Sequence, residues 1–87
     1  MTVRALFNRL LWHPDENIAD CEITYLHRGA PGDRVTIPGA QICVVKASWF
    51  TYESEAGVTV IPFHRVLWIK NVKTGRVLWV KRGRELD

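Results

Sequence analysis

The chain has 87 residues, a formal net charge of +3 and a composition that is 47% hydrophobic and 24% charged. This describes one small globular domain, too short for a second core and too apolar for a disordered chain. The positive balance leans toward an anionic partner, nucleic acid included. Cys21 and Cys43 form no Cys-x-x-Cys pair and no secreted disulfide framework, and no apolar run approaches the ~20 residues of a membrane span. The two cysteines therefore read as reduced and buried, in a cytoplasmic protein without a signal peptide.

Residues 3–12 predict a helix. Val3, Leu6, Phe7, Leu10 and Leu11 form one apolar stripe, and Thr2 is placed to cap its start. His13 precedes Pro14, which ends the helix there. Residues 14–19 are a polar loop. Residues 20–28 predict a strand, with Cys21, Ile23 and Tyr25 alternating with Glu22 and Thr24. Continued alternation puts His27 on the Cys21 face and Arg28 on the other. Ala30-Pro31-Gly32-Asp33 fits a type II turn, with proline at its second position and glycine at its third. Residues 34–37 return as a strand. Residues 40–47 suit either a helical turn or a buried strand.

Residues 48–53 and 58–61 predict a hairpin around a 54–57 loop. Residues 60–70 then form a mostly apolar run with His64 and Arg65 at its centre. Regular alternation sends His64 with Val66 and Trp68, and Arg65 with Phe63 and Leu67, so both share a pocket only if Pro62 bends the chain. Either that bend breaks the alternation, which is the expectation, or only one of the two is a ligand. Arg65-Val66-Leu67-Trp68-Ile69-Lys70 is echoed by Arg76-Val77-Leu78-Trp79-Val80-Lys81, which predicts a hairpin turning at 72–75 with Trp68 opposite Trp79. Trp12 and one of Trp68 and Trp79 are expected in the core. Residues 82–87 are a charged, frayed tail. The resulting architecture is α+β: an N-terminal amphipathic helix packed on a curled antiparallel sheet of about five strands, as one domain spanning 1–87.

Two His-Arg pairs, His27-Arg28 and His64-Arg65, carry the chemistry. Gly29 and Gly32 let backbone N–H groups approach an anion, and Arg28 and Arg34 flank them with side chains suited to phosphate oxygens. The same loop is also an ordinary hairpin turn with solvated arginines and Asp33 pairing one of them. His64 and Arg65 present donors to an anion or are satisfied internally. His27 and His64 together would serve acid/base chemistry on a phosphodiester if the fold joined them. No recognised zinc spacing, Walker loop, dinucleotide fingerprint or nucleophile elbow is present, so no metal or cofactor is expected.

In order, the segments Leu10-Leu11-Trp12-His13-Pro14, Tyr25-Leu26-His27-Arg28-Gly29-Ala30-Pro31-Gly32-Asp33, Ile37-Pro38, Ile61-Pro62-Phe63-His64-Arg65-Val66 and the basic end Trp79-Val80-Lys81-Arg82 resemble a small, largely archaeal family, the RNA cyclic-group-end recognition domain. The resemblance covers nearly the whole chain and rests on His-Arg-Gly-Ala-Pro-Gly-Asp together with Ile-Pro-x-His-Arg. It implies a non-catalytic module that recognises RNA ends bearing a 2′,3′-cyclic phosphate, alone or beside RNA-end-processing enzymes. Its motifs carry His27, Arg28, Asp33, His64 and Arg65 over as candidates. Arg28 and Arg65 are expected to hold the non-bridging oxygens, with His27 and His64 as further donors. Asp33 is expected to orient an arginine or read a sugar hydroxyl, and a tryptophan to stack on the terminal base. Arg34 beside the loop, and Lys70, Lys81 and Arg82, are expected to add contacts to the RNA backbone. A phosphodiesterase using His27 and His64, and a protein-interaction domain with structural His-Arg pairs, are the alternatives. Oligomeric state is not fixed by the sequence.

Overall fold

The computed structural model describes residues 2–13 and 17–81. Helix α1 (Val3–Trp12) begins where Thr2 Oγ1 accepts a hydrogen bond from the Ala5 N–H at 3.1 Å. Leu6, Phe7 and Leu10 are buried, while Leu11 is exposed, so the apolar stripe is narrower than the sequence suggests. Trp12 is not core: it is 83% exposed. It lies roughly 200° around the helix from Leu10, on the side turned away from the core.

Among the described residues seven strands follow: β1 (Cys21–Leu26), β2 (Arg34–Pro38), β3 (Ile42–Val45), β4 (Trp49–Ser54), β5 (Gly57–Pro62), β6 (Val66–Asn71) and β7 (Arg76–Val80). They form two antiparallel sheets rather than one curled sheet of about five strands. One is four-stranded, in the order β2-β1-β6-β7, and the other three-stranded, β3-β4-β5; neither closes. The class is α+β as expected. The division arises because β6 returns to pair with β1, leaving the intervening β3, β4 and β5 to pair among themselves. The ambiguous 40–47 segment divides into a 3-10 turn (Gly39–Gln41) and β3. At that turn a Cβ on Gly39 would stand 1.9 Å from the Ile18 carbonyl oxygen, so only glycine allows the approach.

The core lies between the two sheets and α1. Ile23, Tyr25, Ile37, Val66 and Ile69 come from the four-stranded sheet, and Phe50, Tyr52 and Ile61 from the three-stranded one. The Phe7 ring centre is 4.8 Å from that of Phe50 and 5.2 Å from that of Phe63, which fastens α1 to the segment after β5. The phenolic oxygens of Tyr25 and Tyr52 meet at 2.7 Å and bridge the sheets. Burial, reinforced by this bond, pushes the Tyr25 phenol well above its ordinary range.

Both predicted hairpins are present, with shifted details. The β4–β5 loop is only Glu55-Ala56, because Ser54 already pairs with Gly57. In β6–β7, Asn71 Oδ1 accepts from the Lys73 and Thr74 N–H groups and shapes the expected 72–75 loop. A bulge at Leu78 then slips the register, so Trp79 faces Ile69 and Trp68 faces Val80. The two tryptophans are therefore not opposite: Trp79 packs against the core, and Trp68 lies on the other face beside Thr24. Cys21 is buried as expected, but Cys43 is exposed at the irregularity between Ile42 and Val44. Among the described residues, no helix is long and apolar enough to cross a membrane.

Candidate anion-binding cleft

The last β1–β6 pair is Tyr25 with Val66. Beyond it the chain leaves β1 through His27 and Arg28 and enters β6 through Arg65. These residues and Leu26 line an open cleft of about 180 Å³. Just inside, Thr24 pairs with Trp68 and Tyr25 with Val66, so Leu67 is the extra residue of a bulge in β6. Bulges sharpen local twist and re-aim side chains, and this one adjoins the cleft.

Two successive turns form the first wall. The His27 carbonyl accepts from the Ala30 N–H at 3.2 Å, with Gly29 at φ 96°. The Ala30 carbonyl accepts from the Asp33 N–H at 2.8 Å, with Gly32 at φ 68° and ψ 12°, the type II geometry read from the sequence. Asp33 is itself left-handed at φ 57°, a conformation aspartate tolerates better than most residues. It ties the loop together: its carbonyl accepts from the His27 N–H at 2.9 Å and its Oδ1 from the Gly29 N–H at 3.3 Å. Four backbone donors of the loop, the N–H groups of His27, Gly29, Ala30 and Asp33, are thus engaged within it.

The second wall is a 3-10 turn, Phe63–Arg65, entered from Pro62 at φ −65° and ψ 142°. Phe63 is buried and anchors the turn, while His64 and Arg65 are exposed. The expected break in alternation at Pro62 is there, but it does not bring both residues to one pocket. Arg65 lines the cleft; His64 is not part of its lining. The His64 carbonyl instead receives the Lys81 ammonium, and the Lys81 N–H donates to the Leu67 carbonyl at 2.7 Å. Lys81 is thereby fixed at the same end of the sheet.

Arg34 is opposite Leu26 in the β1–β2 ladder, beside the cleft, with its guanidinium over Trp68. Lys70 is elsewhere: it pairs with Glu22, roughly 16 Å along β6 from Arg65. Arg82 lies outside the described residues. Arg28, Arg34, Arg65 and Lys81 thus gather at one sheet end, with Asp33 the acidic residue among them, committed to its turn. Such a concentration attracts anions and steers them inward. Leu26 was not among the residues singled out from the sequence. The adjoining His27-Arg28 was its only signal, since a strand-end leucine reads as core.

A family model described as the MJ1316 RNA cyclic group end recognition domain matches residues 1–81. The chain is 46% identical over 80 residues to the UPF0248 protein MmarC7_1289 of Methanococcus maripaludis strain C7, covering 92% of this chain and 99% of that one. It is 35% identical over 80 residues to the UPF0248 protein MJ1316 of Methanocaldococcus jannaschii, covering 92% and 94%. It is 34% identical over 85 residues to the UPF0248 protein PF1300 of Pyrococcus furiosus, covering 98% and 94%. No solved structure matches significantly.

Proposed function

The chain belongs to the MJ1316 RNA cyclic group end recognition domain family, and on that premise we propose that it is a non-catalytic module that binds RNA ends carrying a 2′,3′-cyclic phosphate. The observation that carries the reading is the presence of Arg28 and Arg65 on one small cleft. A cyclic phosphate has one negative charge and two non-bridging oxygens, and its 2′-oxygen is closed into the ring. Two guanidinium groups satisfy both oxygens with charge-assisted bonds. His27 adds a donor at the rim, and Leu26 gives the ring an apolar wall. Lys81 and Arg34 add positive charge around the opening, Lys70 serves the more distant strand, and Arg82 adds to the backbone contacts as the sequence suggests.

A phosphodiesterase would need two acid/base groups within reach of one phosphate. His27 lines the cleft and His64 does not, which favours binding over turnover. RNA processing or repair in the cytoplasm, beside RNA-end-processing enzymes, is the setting this reading gives the module.

The test uses matched oligoribonucleotides ending in cyclic phosphate, 3′-phosphate or hydroxyl. Selective retention of the cyclic end, recovered intact, is the expected result. Opening of the ring makes the protein an enzyme. Equal, negligible binding of all three removes the RNA-end reading.

A further inference from the structure

The four-stranded sheet turns one face to the core and leaves the other open. Arg34, Thr36, Lys70, Val77 and Val80 are exposed, and the ladder puts them on the open face with Thr24 and Trp68. Thr24 is buried there and bonded to Thr36 at 2.7 Å between hydroxyl oxygens. Trp68 is half-buried in the middle of the face. The Arg34 guanidinium carbon lies 5.4 Å from its ring centre, within cation–π range. The Arg34 Nη2 is also 3.8 Å from where a Cβ on Gly32 would be, so this side chain reaches from the cleft's loop to the indole.

Trp79, not Trp68, is the β6–β7 tryptophan that packs against the core. A large aromatic on an open sheet, topped by an exposed planar cation, is a surface on which bases stack. Its position suits that use. From Leu26, in the cleft wall, to Thr24, opposite Trp68, is about 7 Å along β1, within the reach of one nucleotide.

We infer that Arg34 and Trp68 seat a nucleobase of the RNA strand whose phosphorylated end occupies the cleft, an inference that rests on the RNA-end reading above. The base stacks on the outer plane of the guanidinium and the adjoining indole, with Val80 bordering the seat. Every base has a π-face, so the seat selects for the presence of a base rather than its identity. The module holds an end nucleotide as well as its phosphate.

The experiment measures binding of two cyclic-phosphate oligoribonucleotides, one complete and one lacking the terminal base, to the wild type, Trp68→Phe, Trp68→Leu and Arg34→Gln. Leucine keeps an apolar cover over Thr24 without a π-face, and Arg34→Gln changes an exposed residue. Wild type and Trp68→Phe are expected to prefer the complete RNA by roughly tenfold. Trp68→Leu should lose that preference and Arg34→Gln should reduce it. Failure of the wild type to distinguish the two RNAs, or an undiminished preference in Trp68→Leu and Arg34→Gln, overturns the base seat and leaves end binding standing. If the wild type binds the cyclic end no better than a hydroxyl end, the RNA-end reading falls and the base seat with it.

Discussion

Arg28 and Arg65 reach one cleft from two separate turns, because the pairing of Tyr25 with Val66 sets those turns side by side. Both side chains are exposed at its edge, so neither is needed to fill the core. That separation of ligand chemistry from packing makes the site testable by substitution.

Arg28→Ala and Arg65→Ala are each expected to weaken binding of cyclic-phosphate RNA by tenfold or more, the scale of losing a hydrogen bond to a charged group. Unfolding free energy should move by less than about 0.5 kcal/mol, as for most surface substitutions. Binding isotherms and urea unfolding on the same preparations check both halves. Cooperative unfolding lost in Arg65→Ala would make that arginine structural.

Affinity should fall linearly on a log–log plot as salt rises. For a single strand each neutralised phosphate contributes a slope of about −0.7. Lys81→Gln should make the slope shallower by one such increment or less, since the Lys81 ammonium is partly engaged by the His64 carbonyl. A salt titration of the wild type and Lys81→Gln measures this.

Asp33→Asn keeps the acceptor for the Gly29 N–H and a residue that tolerates φ 57°. It also removes the negative charge from the basic end. RNA affinity should rise modestly with stability unchanged. A tenfold loss in the binding assay would instead place the carboxylate on the RNA. Asp33→Ala loses the bond and strains the backbone, and should cost roughly 1–3 kcal/mol in urea unfolding.

The Tyr25–Tyr52 bridge predicts an alkaline limit to stability. Burial raises the Tyr25 phenol above its ordinary value, so the unfolded chain loses that proton before the folded one does. The contribution is complete below the ordinary tyrosine value of about 10 and is lost progressively as pH rises above it. Tyr25→Phe leaves the Tyr52 hydroxyl without this partner and should cost about 1–3 kcal/mol. Tyr25→Phe/Tyr52→Phe should recover part of that and flatten the alkaline decline, read by denaturant unfolding from neutral to alkaline pH.

Gly39→Ala forces a Cβ to 1.9 Å from the Ile18 carbonyl oxygen. Backbone must move, and a loss of more than about 3 kcal/mol is expected, the range of severe overpacking. A urea midpoint within error of wild type would refute the close approach.

Local physics made much of this fold legible in the sequence. Helix periodicity and the Thr2 cap marked α1, and proline with glycine at 31 and 32 specified the type II turn. The apolar echo found the β6–β7 hairpin. What escaped had no local signal. The β1–β6 pairing joins distant segments, so two sheets looked like one. One bulge residue, Leu78, exchanged the partners of Trp68 and Trp79, and a period-two pattern cannot announce where it will slip. In the site, the two His-Arg pairs were visible as residue types. Only the 3-10 turn after Pro62 decides that Arg65 lines the cleft and His64 does not.

The β1–β6 ladder also sets when the cleft comes into being. It is a long-range closure of the chain, joining segments far apart in sequence, and a closure of that kind costs chain entropy before its contacts form. Arg28 and Arg65 are strangers until that step. A chain in which that ladder is unformed lacks the cleft, and a ligand that binds only the cleft draws the population toward the folded state by mass action. Occupancy of this module reports the completion of its fold.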